Sequence, residues 1–210
     1  MPMESNWAAE HLQVIRTLME RSAVYRRALA PIMLVSGLIG LLSAVVPCFV
    51  KIETDRAFGF FWIGVSLAAL VASFLLVRRQ ALKEAEPFWS PPTRRVTQAV
   101  LPAFLIGLAA GFLLIINPQQ QPPGAWLLAI VWITAYGCAM HAAGFFMERG
   151  IKLFGWAFVV GGCGVLLGTT FWPRLQTTEA AHYVMGMFFG VLQLAYGIYL
   201  YFTEQRKSAA

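Results

Sequence analysis

Apolar residues in this chain gather into six long runs, at 31–50, 57–77, 96–116, 124–146, 153–172 and 180–202. Asp, Glu, Lys and Arg are confined to the stretches between and flanking them. Each run has about the twenty residues that a helix needs to cross a hydrocarbon core of roughly 30 Å. The pattern predicts an all-α integral membrane protein: six transmembrane helices in a compact bundle filling 31–203, with a cytoplasmic tail at 204–210.

Residues 1–30 follow a different rhythm. Trp7, His11, Ile15, Leu18, Ser22 and Tyr25 recur at spacings of three and four, widened by Leu12 and Met19. Gln13, Thr17, Glu20 and Arg27 fall on the other side. This is an amphipathic helix, which Ser5 or Asn6 can cap. It can lie on the inner leaflet or dock a cytoplasmic partner. For docking, the candidate residues are Trp7, His11, Ile15, Leu18, Met19, Glu20 and Arg21. No cleavable signal is visible ahead of the first run, so that run is expected to act as an uncleaved signal-anchor.

Composition sharpens the class. Apolar residues make up 59% of the 210 and charged ones 12%, against about 45–50% and 25% in a soluble domain. With a mean hydropathy of +0.65, the chain cannot cover itself with polar groups in water, and its solvent is expected to be lipid. The net charge of +6 comes from basic residues that are unevenly placed. Thirteen of the sixteen lie in the N-terminal segment, the second and fourth loops and the tail; Lys51, Arg56 and Arg174 lie on the other side. That asymmetry predicts cytoplasmic termini in a bacterial inner membrane. The basic excess is expected to meet anionic membrane lipids rather than nucleic acid, for which no motif is present. Trp126 and Trp172 then belong to an outer aromatic belt, Trp156 and Tyr201 to an inner one. The first half of the second loop can extend the preceding helix, and Pro87, Pro91 and Pro92 stop it. Phe88-Trp89 beside them reads as an interfacial anchor or a recognition segment.

Small residues recur at helical spacing in nearly every run: Ser36-Gly40-Ser43, Ser66-Ala69-Ser73, Gly107-Gly111, Thr134-Gly137-His141-Gly144, Ala157-Gly161-Gly164-Gly168 and Gly186-Gly190-Gln193-Gly197. Such positions let helix backbones approach where lipid supplies no hydrophobic drive. His141 and Gln193 are the polar members. An ionisable group in hydrocarbon is a site hypothesis by default, and Tyr196 and Thr134 could complete a polar floor with them. An interhelical hydrogen bond would account for them equally. Cys138, His141 and Cys163 could in principle ligate a metal, but cysteine is also a common small apolar residue, and no metal is expected. His141 and His182 fall roughly 20 Å apart in depth, too far to share a haem. The cysteines form no CxxC pair, and HExxH, GxSxG, P-loop and embedded carboxylate pairs are all missing from the sequence. No catalytic residue and no cofactor is expected.

The stretch IRTLMERSAVYRRALAPI ahead of a glycine-rich first span, with AYGCAMHAAGFF, IKLFGWAFVVGG and GVLQLAYGIYL later, resembles an uncharacterised family of small multi-spanning bacterial inner-membrane proteins. Met19-Glu20-Arg21-Ser22 and Tyr196-Gly197 carry the resemblance; Gln193 stands where that family would have a histidine. Members of the family occur beside winged-helix transcriptional regulators, so the resemblance implies a regulatory setting. The expected function is a non-enzymatic interaction, regulatory or accessory module that docks a protein partner through its N-terminal helix and basic loop. A carrier or lipophilic-ligand binder built on His141, Gln193 and Tyr196 is the second reading. An accessory subunit of a respiratory or photosynthetic complex is the third.

Overall fold

A computed structural model describes residues 29–83, 89, 91–117, 124–147, 149–173 and 176–209. The candidate docking residues Trp7, His11, Ile15, Leu18, Met19, Glu20 and Arg21 lie outside the described residues. Those described form helices and no strand. Six helices are long and apolar enough to cross a membrane. They are α1 (Leu29–Cys48), α2 (Asp55–Lys83), α3 (Pro91–Ile116), α4 (Gly124–Ala143), α5 (Arg149–Phe171) and α6, whose spanning part is Thr178–Thr203.

The helix starts follow from side-chain acceptors. The first turn of a helix leaves backbone N–H groups unpaired. Thr54 Oγ1 accepts from Ala57 N–H at 3.2 Å to open α2, and Thr177 Oγ1 accepts from Ala180 N–H at 3.0 Å to open α6. For α4 the acceptor comes from elsewhere in the chain. Asp55, on the first turn of α2, takes Gly124 N–H at 2.7 Å and Ala125 N–H at 3.1 Å. One carboxylate thereby caps a second helix and ties two together.

The ends depart from the apolar runs where backbone contacts intervene. Helix α4 stops at Ala143, short of the run's end at 146. A side chain on Gly144 would strike the Lys152 backbone at 2.8 Å, so the chain turns there in close contact with α5. Lys152 Nζ then stands 3.6 Å over the Phe145 ring. Helix α2 continues past its apolar run and carries Arg78, Arg79 and Lys83 as helical residues.

Helix α4 occupies the middle of the bundle, with 44% of its apolar window buried, whereas α2 has 6%. Core side chains gather around α4 from Phe58 and Trp62 of α2, Leu114 of α3, Phe158 of α5 and Met185 of α6. Trp126 joins this core at 5% exposure. The sequence had assigned it to the outer belt, but a start-of-helix position fixes depth and not direction. Trp156, Trp172 and Tyr201 are exposed as a belt requires.

Glycine zips α1 against α6. A side chain on Gly37 would meet the Leu194 backbone at 2.6 Å, and Gly40 lies against the Phe189 carbonyl. From the other side, Gly190 faces the Leu41 backbone at 2.9 Å, Gly197 faces Leu34, and Gly186 faces Ala44. Along this contact α6 needs one more residue than α1. The surplus falls where Gly186–Leu192 widens into a π-helical segment between Thr178–Met185 and Gln193–Ala209. A π turn holds an extra residue without breaking the helix, and here it keeps the glycines of α6 facing α1.

Candidate functional site

Polar side chains inside the bundle collect at two levels. The first lies near the start of α6, where His182 is 2% exposed. Its Nδ1 accepts the indole N–H of Trp62 at 3.0 Å. An indole nitrogen can only donate, so Nδ1 carries no proton. The neutral ring then holds its proton on Nε2, which stands 3.3 Å from the Ile52 carbonyl and donates to it. Phe58 meets the imidazole edge-on at 4.8 Å, and Phe61 approaches it at 5.9 Å. Beside this node, Thr178 Oγ1 donates to Asp55 at 3.5 Å. The Ile52 carbonyl, α2, α4 and α6 are thus joined by a short polar clasp.

The second level surrounds Gln193, 5% exposed. Its Nε2 donates to the Tyr136 hydroxyl at 3.2 Å and approaches Met33 Sδ at 3.8 Å. Tyr136 packs on Phe158 at 4.9 Å and on Phe189, from the π segment, at 5.1 Å. Helices α1, α4, α5 and α6 meet around this one amide.

The sequence-predicted floor of His141, Gln193, Tyr196 and Thr134 is divided among different neighbours. His141 lies five residues beyond Tyr136 on α4, about 140° further round the helix at roughly 100° per residue. It faces α5 instead of Gln193. Its ring meets Trp156 at 5.3 Å and Phe145 at 5.4 Å, and its Nδ1 is buried without a hydrogen-bond partner. Tyr196 lies flat on Phe154, centroids 4.4 Å apart. Thr134 donates to the Ile130 carbonyl of its own helix at 2.8 Å. Its methyl crowds Gly162 of α5. Gln193 finds a tyrosine, Tyr136, that the sequence reading passed over.

His182, Trp62, Asp55 and Tyr136 are the residues that reasoning from sequence missed. The sequence weighed His182 only as a haem ligand. Asp55 stands just ahead of an apolar run, where an aspartate reads as part of its own helix start. Cys48, Cys138 and Cys163 are free and exposed. Among the described residues no three His, Cys, Asp or Glu side chains gather to hold a metal ion.

At the other end of the molecule, Leu75, Arg78, Arg79, Leu82 and Lys83 line an open groove of about 480 Å³ on the final turns of α2. Comparison with known proteins adds no relative: no family model, curated protein or solved structure matches the chain.

Proposed function

We propose that this protein is a non-enzymatic, six-span protein of the bacterial inner membrane, with both termini in the cytoplasm, that docks a protein partner at that face. One observation carries the reading. Buried polar side chains are engaged across helices, His182 with Trp62 and Gln193 with Tyr136, and the half-buried Asp55 holds the start of α4. These groups hold helices together, which leaves recognition to the basic end and the amphipathic segment ahead of α1. The placement of thirteen of sixteen cations on one side supports the orientation. The Met19-Glu20-Arg21-Ser22 resemblance supports a regulatory partner, and an accessory role in a larger membrane complex uses the same surface.

Gentle purification from native membranes, with mass spectrometry of what accompanies the chain, tests this reading. A stoichiometric protein partner is expected, and deletion of residues 1–27 is expected to release it. If the deletion leaves every interaction intact, the docking role is wrong.

A second reading has one observation in its favour, the unpartnered Nδ1 of His141 between Trp156 and Phe145. A lipophilic ligand with a hydrogen-bond donor would satisfy that nitrogen. The reading expects a small molecule to accompany the wild type and to be lost from His141→Ala with the fold intact. Retention of the ligand by that variant would remove His141 from consideration.

A further inference from the structure

The face of α2 at 75, 78, 79, 82 and 83 follows the three- and four-residue spacing of one helical stripe. Its two leucines and three cations line one shallow, open groove. Leu75 and Leu82 are 55% and 73% exposed. Arg78 comes immediately after Val77, the last residue of the apolar run. From Arg78 to Lys83 the helix rises roughly 7.5 Å, about the thickness of one headgroup layer. Leu75 therefore lies at acyl-chain depth, with Arg78 and Arg79 about a turn further on and Lys83 beyond them.

We propose that this groove is a binding site for one anionic phospholipid, its phosphate held by Arg78, Arg79 and Lys83 and its acyl chain lying along Leu75. Charge and depth together choose the occupant. Guanidinium groups form paired hydrogen bonds with phosphate oxygens, and a basic pocket at the cytoplasmic ends of membrane helices suits an anionic headgroup. An acidic peptide would satisfy the cations but would leave Leu75 without a counterpart. The proposal rests on the reading that the six helices cross a membrane. It differs from the general attraction of basic loops to lipid in assigning the contact to one helical stripe.

The test uses the full chain in mixed micelles containing phosphatidylglycerol or phosphatidylcholine, with retained lipids counted by native mass spectrometry. The wild type is expected to prefer phosphatidylglycerol by about tenfold, and the preference should fall as salt screens the ion pairs. The triple variant R78Q/R79Q/K83Q should lose that preference. A control with equal charge loss at the same end, R94Q/R95Q/K152Q, should keep it. Equal loss in both variants would reduce the effect to diffuse surface charge and overturn the site. So would a wild type indifferent to headgroup, or a preference unaltered by salt, which remain readable should the triple variant fail to fold. Displacement of the lipid by millimolar inorganic phosphate or a polyglutamate peptide would mark a phosphate or peptide site instead. Alkaline extraction of the wild type from native membranes reports integral insertion separately, so a failed lipid site and a failed membrane reading are distinguishable.

Discussion

At the scale of single residues, the consequential contacts join positions far apart in the chain. Trp62 and His182 are separated by 120 positions, and Asp55 and Gly124 by 69. Trp62→Phe would leave His182 Nδ1 as a buried acceptor without a donor, at a cost of about 1–3 kcal/mol. His182→Phe should be comparably destabilising, and the double variant should lose less than the two costs added together. Thermal unfolding of all four proteins in one detergent measures this coupling. Additivity to within about 0.5 kcal/mol would show the bond to be idle. Asp55→Ala removes a cap and a favourable charge at the start of α4, and is expected to cost about 1–2 kcal/mol in the same assay. Asp55→Asn keeps one acceptor oxygen and should recover part of that loss. None of this was legible from spacing, because a histidine or an aspartate beside an apolar run says nothing about which helix will stand opposite. Gln193 was legible as a polar group in need of a partner. Its partner was not, since Tyr136 and His141 are only about 7.5 Å apart along α4 and the packed helices decide which one turns toward α6.

At the scale of elements, the spacing of glycines announces close packing without saying which glycines are packed. Gly137, Gly144, Gly155 and Gly162 all close the α4–α5 contact, and each would strike the neighbouring helix if given a side chain. Gly161 receives the Phe188 ring, while Gly164 and Gly168 meet nothing within 4 Å. The predicted stripe on α5 therefore runs from a contact into open surroundings. On α1 the contact shifts by one position from the predicted stripe: Gly37 joins Gly40 against α6, and Ser36 turns instead to Ser73 of α2 at 3.3 Å. A matched pair of substitutions separates the two kinds of glycine. Gly40→Ala pushes a methyl group into the backbone of α6 and is expected to cost about 1–3 kcal/mol. Gly164→Ala is expected to be neutral or to gain up to about 1 kcal/mol, since alanine favours a helix over glycine. If the two variants unfold at the same temperature, the α1–α6 contact is not as close as its geometry requires. The π segment was beyond any reading based on a 3.6-residue period, because its extra residue is needed only in register with α1.

At the scale of the whole molecule, six helices were legible because length and apolarity alone select a span, while their arrangement depends on contacts that hydropathy does not encode. Helix α2 shows the difference. It is as apolar as its neighbours, yet only 6% of its window is buried, and it hangs at the edge of the bundle by Phe58, Gly59 and Trp62. Orientation is a separate matter, set by charge, and the chain carries its own reporter. Cys48 is exposed at the end of α1, the end at which α2, α4 and α6 begin. With cytoplasmic termini, Cys48 faces outward. A membrane-impermeant maleimide should then label it in intact cells. A cysteine substituted for Ala210 should be reached only after permeabilisation. Cys138 and Cys163 lie well inside α4 and α5, where a surrounding membrane would keep a water-borne reagent away, so Cys48→Ser should abolish the surface signal. Protection of Cys48 in intact cells, with labelling on permeabilisation, would invert the molecule. The groove of Arg78, Arg79 and Lys83 would then face the outer leaflet, and any partner of residues 1–27 would have to be sought outside the cytoplasm.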